Sequence, residues 1–247
     1  MVPVRSRLLL VMVLSLLGGA IGIPVVQEAT SESEGVTAYP PNEPVYGATL
    51  GEWSARHWRW TLSFPIGVNP GQDVTGTTCG YGQAGPVFFV PRNFPPCVVP
   101  SGMAILVPIA GAVCSAAEPM FVGQDEAALR SCVADDAVRH TGIVVRVDGE
   151  TIPDINSYRA ASPLFTIVLP ENNVLGGPAG ATSAAADGYQ VILAPLSVGE
   201  HEVVVHVELT DGTVLPDKVL RMTVVEPASI GPGATPDLGT PKATPVL

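Results

Sequence analysis

Large side chains recur at helical spacing in one part of the chain. Trp53, His57, Trp60 and Phe64 stand at i, i+4, i+7 and i+11, which places them on one stripe of a helix. Thr49 and Glu52 lie three apart at its start and fit a capping box, in which the hydroxyl and the carboxylate each accept the other residue's backbone N–H. Pro65 stops this helix just beyond Ser63. A second, shorter helix is predicted over about 125–138, with Asp125 as N-cap and Leu129, Cys132 and Val133 turned inward.

The other apolar runs are short, rich in β-branched and aromatic residues, and bounded by turn formers. Residues 85–90, 103–109, 143–147, 164–169, 189–193, 202–209 and 218–225 therefore read as strands. Asp148-Gly149 and Asp211-Gly212 are hairpin signals. Ser197-Val198-Gly199-Glu200 reads as a tight turn between the last long strands. Strands in series with few helices between them predict a mainly β fold. The expected form is an antiparallel β-sandwich, jelly-roll or Ig-like, with one docked Trp-rich helix and a second short helix.

The ends have a different pattern. Arg5 and Arg7 precede an apolar run at 8–17 and small residues at 18–22, the layout of a signal peptide occupying 1–23. The apolar run continues to Val26, long enough for an anchor if it were retained, but Gly and Pro24 interrupt its second half and favour cleavage. Residues 24–44 are acidic and rich in Ser, Thr and Pro, and read as a flexible leader. Residues 227–247 read as a Pro/Gly-rich disordered tail, leaving 45–226 as a single β-sandwich domain.

Composition narrows the partners. The formal net charge of −11 argues against nucleic acid, whose phosphates need clustered Lys and Arg. With 26 Gly and 25 Pro in 247 residues, long helices are disfavoured. Cys79, Cys97, Cys114 and Cys132 are an even number behind an export signal, so they read as disulfides in an extracytoplasmic protein, secreted, periplasmic or attached to the cell surface. Of the three pairings, Cys79–Cys97 with Cys114–Cys132 is favoured, because each bond then closes a short loop of the same length.

Three stretches carry a family resemblance. They are Tyr46-Gly47 with GEWSARHWRW at 51–60, VDGETIPDINSYRAASPLF at 147–165 and ADGYQVILAPLSVGEH at 186–201. In order and spacing they resemble a family of exported bacterial proteins of uncharacterised role, with a GEWS-type Trp-rich helix and a DGY…PL…GxH segment. The resemblance implies export and a single domain and brings no activity or catalytic residue. It departs at His57, where another Trp is expected, so His57 is not assigned a function.

Candidate chemistry is sparse. Gly80, Gly82 and Gly85 spell a dinucleotide-type glycine pattern, but a strand follows where the phosphate site needs a helix, so no nucleotide is expected. Trp58 points roughly 140° away from Trp53 around the helix. With Trp60 it is the candidate for an aromatic binding platform, set against packing in the core. Arg159 is a candidate anion ligand or, more simply, one half of an ion pair. Glu202, His206 and Glu208 share a strand face, and the turn at 69–73 holds oxygen ligands, yet neither has metal-site spacing, so no metal or cofactor is expected. No nucleophile motif occurs, and many acids are available without a selected pair. Two functions follow: a non-enzymatic binding or envelope-associated module for a glycan or envelope component, or a secreted carbohydrate hydrolase with paired carboxylates near the Trp helix.

Overall fold

Helix α1 (Leu50–Leu62) starts as its cap predicts: the Thr49 side chain accepts from the Glu52 N–H, and the Glu52 carboxylate accepts from the Thr49 N–H at 2.7 Å. The computed structural model describes residues 38–227. The expected signal peptide, most of the leader and the tail from 228 onward lie outside the described residues. Helix α2 (Glu126–Ala137) is capped by Asp125, which accepts from the Ala128 N–H. Among the described residues no helix is long and apolar enough to cross a membrane.

Ten strands among the described residues form two sheets: β1 (Val87–Phe89), β2 (Cys97–Pro100), β3 (Ala104–Ser115), β4 (His140–Val147), β5 (Glu150–Thr151), β6 (Arg159–Ala161), β7 (Phe165–Leu169), β8 (Gly180–Leu193), β9 (Gly199–Leu209) and β10 (Lys218–Val225). The first sheet runs β1-β3-β8-β6, with β7 also paired to β8, and the second runs β2-β10-β9-β4-β5. In β9 and β10 alternate residues are buried, Val203, Val205 and Val207 on one and Leu220, Met222 and Val224 on the other. They join Ile105, Val107, Val191 and Leu193 of the first sheet in one core cluster. This is the period-2 pattern of a sheet with one covered face.

The sheets are not purely antiparallel. β1 pairs with β3 in parallel, and so does β2 with β10. Between β1 and β3 the chain crosses to the second sheet to form β2, and that excursion brings it back in the same direction. The segment 197–200 is likewise no hairpin, since β8 and β9 belong to different sheets and it carries the chain between them. Asp148-Gly149 does close a hairpin, β4 to β5, with φ of +52° and +86°. Asp211-Gly212 turns the end of β9 back on itself, where Leu209 donates to the Thr213 carbonyl, before the chain reaches β10.

β8 is far longer than its apolar run suggested. Its first half, GATSAAADG, has no apolar alternation, yet Ala184 and Ala186 pack in the cluster containing Ala55 and Leu62 of α1, while Ala185 packs with Leu129 and Val133 of α2. Only small side chains let a helix approach each face of one strand. Residues 38–44, expected in the flexible leader, also join the fold: Ala38 bridges to Leu193, and Tyr39 donates its N–H to the Ile192 carbonyl.

Disulfides Cys79–Cys97 and Cys114–Cys132 are both formed. The first ties the 63–86 loop to β2, and the second ties α2 to β3. Such bonds persist in an oxidising setting.

Candidate functional site

The aromatic stripe of α1 is core. Trp53, His57, Trp60 and Phe64 are all buried. Each nitrogen-bearing ring reaches a loop carbonyl: Trp53 Nε1 donates to Val45 at 2.8 Å, His57 Nε2 to Val90 at 3.0 Å and Trp60 Nε1 to Tyr81 at 2.7 Å. The three bonds pin three loops to one helix. Trp60 is therefore not available as a binding platform: its ring packs edge-on to Phe64 and tilted on Phe89. Burial pushes the His57 imidazole down to about 4 and outweighs its hydrogen bond to Val90, so the ring is neutral at pH 7.

Trp58 is half-buried on the neighbouring face, and the Arg92 guanidinium lies over its ring at 4.9 Å. The cleft beside it, about 10 Å³, has room for roughly one water. Its carboxylate is Asp187, which accepts from Arg159 Nε at 3.1 Å and Nη2 at 2.8 Å. Arg159 thus has the ion-pair role, a two-pronged bond that joins β6 to β8. His206 is held by Asp217 at 2.7 Å and Glu208 at 3.6 Å, whereas Glu202 turns to Arg221. Among the described residues no group of three or more His, Cys, Asp or Glu side chains could hold a metal.

A wider concavity lies elsewhere, in the loop between Ser63 and Pro86, which contains no strand or helix. It forms a hollow of about 540 Å³ whose wall includes Ile66, Val68, Gln72, Thr75, Thr77 and Tyr81. The loop is wired internally. Buried Asn69 donates to the Thr61 and Phe64 carbonyls and accepts from the Gly71 N–H. Asp73 accepts from the N–H and hydroxyl of both Thr75 and Thr78, at 2.6–2.9 Å. Partial burial works to raise its carboxyl, but these four bonds prevail and hold it well below the usual carboxylate range. Gln83 bridges the Cys79 and Phe89 carbonyls, and the Cys79–Cys97 bond anchors the far end. The side-chain oxygens of Asn69 and Asp73 are thus committed within the loop. The glycine pattern at 80–85 lies in its last turns and cradles no helix terminus.

Sequence reasoning missed this hollow, because a loop has no periodicity to read. The signals present were the run of Thr at 75, 77 and 78 and the exposed Ile66 and Val68 beside it. It also missed Arg92, a lone cation in a turn, whose place over Trp58 only the fold reveals.

No family model and no curated protein matches the chain. A solved structure, the solution structure of Amebosin, aligns with 56% of this chain and 96% of that one at 10% identity, with a TM-score of 0.19.

Proposed function

We propose that the protein is exported and acts as a non-enzymatic binding module, taking a neutral polar ligand such as an envelope glycan in the hollow of the 63–86 loop. The observation that carries this reading is a loop of some two dozen residues that has no regular structure yet is cross-linked by its own hydrogen bonds and a disulfide around an open cavity. Loops of that length inside a compact domain are usually either disordered or functional, and this one is tied down by Asn69, Asp73, Gln83 and the Cys79–Cys97 bond. Its volume lies in the range of ligand sites, and its wall offers hydroxyls, an amide, a Tyr ring and one carboxylate, Asp73, whose oxygens already accept from Thr75 and Thr78. A preorganised wall lowers the ordering cost of binding.

The hydrolase reading finds less support. It needs two carboxylates at a working separation near the aromatic helix. Asp187 is bound by Arg159, and Asp73 has both oxygens occupied. A glycan array and a hydrolysis screen of the purified exported chain test both readings. The expected result is saturable binding to a glycan or an envelope fraction without product release. That binding should weaken about tenfold, roughly 1.4 kcal/mol, in Gln72→Ala or Thr77→Val. Product formation would restore the hydrolase, and binding to no glycan or envelope fraction would remove the module.

A further inference from the structure

A second cavity, of about 60 Å³, is lined by Arg92, His140 and Lys218 together with Ile109, Val205 and Leu215. That is room for roughly four waters, the size of a small oxyanion. Arginine and lysine ion pairs with carboxylates among the described residues join Arg130 to Glu126, Arg159 to Asp187 and Arg221 to Glu202. Neither Arg92 nor Lys218 takes part in one.

Arg92 follows β1, beside the stretch of β3 that β1 is too short to cover. It donates Nη2 to the Gly111 carbonyl at 2.7 Å, one use of its five N–H groups. Its plane rests on Trp58, and the Lys218 ammonium stands 5.9 Å from the Phe94 ring centre. The third polar group is His140, whose Nδ1 is buried without a hydrogen-bond partner, the nearest carboxylate oxygen being that of Asp136 at 4.0 Å. Asp136 is also the acid whose field Arg92 feels, from beyond ion-pair contact. Burial lowers Arg92 below its ordinary value, and desolvation at the cavity together with the Arg92 charge lowers Lys218, although Lys218 as a whole residue is exposed. In so acidic a chain such a pair is no by-product of a basic surface. Like charges drawn together at a partly buried site are unfavourable unless an opposite charge joins them.

We propose that this cavity binds a small oxyanion, the shared chemistry of phosphate, sulfate and a ligand carboxylate, between Arg92 and Lys218, with the His140 Nδ1–H as a third donor. The site is separate from the loop hollow and does not depend on what that hollow binds. The full exported chain is titrated with phosphate, sulfate or acetate at ionic strength matched with chloride, following the melting temperature and the His140 ring signals by NMR. A saturable rise in melting temperature and a His140 shift are expected with at least one of the three, while His206, on the other face of β9, stays unmoved. Response to phosphate and sulfate alone assigns a tetrahedral ion, and response to acetate alone assigns a carboxylate ligand. Lys218→Gln should weaken the response about tenfold. This variant alters an exposed side chain on β10 and keeps the test informative if Arg92→Gln loosens the β3 edge. No saturable response beyond the chloride control, or an equal response in Lys218→Gln, overturns the proposal.

Discussion

Asp187 and His57 are the side chains whose burial has the sharpest consequences. Asp187 is almost wholly buried and accepts both prongs of the Arg159 guanidinium. Arg159→Ala leaves that carboxylate buried and unpaired, and should cost about 3–5 kcal/mol by chemical denaturation. Replacing both residues with leucine should cost less than Arg159→Ala alone, since no orphan charge then remains. His57 sets an acid limit. Its folded value near 4 lies below the 6.5 of an unfolded histidine, so between these values the unfolded chain binds more protons. The stability it contributes is complete above pH 6.5 and is lost as pH falls towards 4, on the order of 3 kcal/mol in all. His201 and His206 act in the opposite sense. Burial lowers His201, but Asp148 and the Ser197 carbonyl raise it on balance, and Asp217 chiefly raises His206. Their contributions are present at low pH and fade as pH rises through those raised values. Urea midpoints at pH 4.5 and 7 should therefore differ less in His57→Gln than in the parent chain.

At the scale of elements, α1 is held at one end by its cap and along its length by its rings. Thr49→Ala removes the hydroxyl that accepts from the Glu52 N–H and should cost about 1 kcal/mol, read as a shift in denaturation midpoint at constant slope. The pairing of β3 with β8 depends on two facing glycines, Gly111 and Gly188, beside a bulge between Pro108 and Ala110. A Cβ on Gly188 would stand 2.3 Å from the Ala110 carbonyl oxygen, and one on Gly111 would stand 2.4 Å from that of Asp187. Gly188→Ala should therefore destabilise the protein by about 2 kcal/mol or more, with amide exchange quickening first in that stretch of β3 and β8. The elements legible in sequence were those with a period: the Trp stripe, its capping box, and the alternating strands β9 and β10. The first half of β8 was not legible, because its small residues acquire strand character from the two helices that flank them.

At the scale of the molecule the disulfides link what hydrogen bonding leaves loosely joined. Each closes 18 residues. Removing either with a paired Cys→Ser change should cost about 3 kcal/mol. The two losses should differ in where they are felt. Loss of Cys79–Cys97 should loosen the 63–86 loop and the hollow it encloses, and loss of Cys114–Cys132 should free α2. Limited proteolysis of the two variants distinguishes these outcomes by the position of the first cut.

The order of apolar and polar residues determined the mainly β class of the fold and the start of α1, and short loop length favoured the cysteine pairing that forms, since each depends on neighbours a few positions away or on a short loop. Tertiary structure decided the parallel edge pairs, the two-sided setting of Ala184–Ala186, the partner of Arg159 and the meeting of Arg92 with Lys218. These depend on which distant segments share a volume, and a lone charge or a run of alanines takes its meaning from what the fold brings beside it.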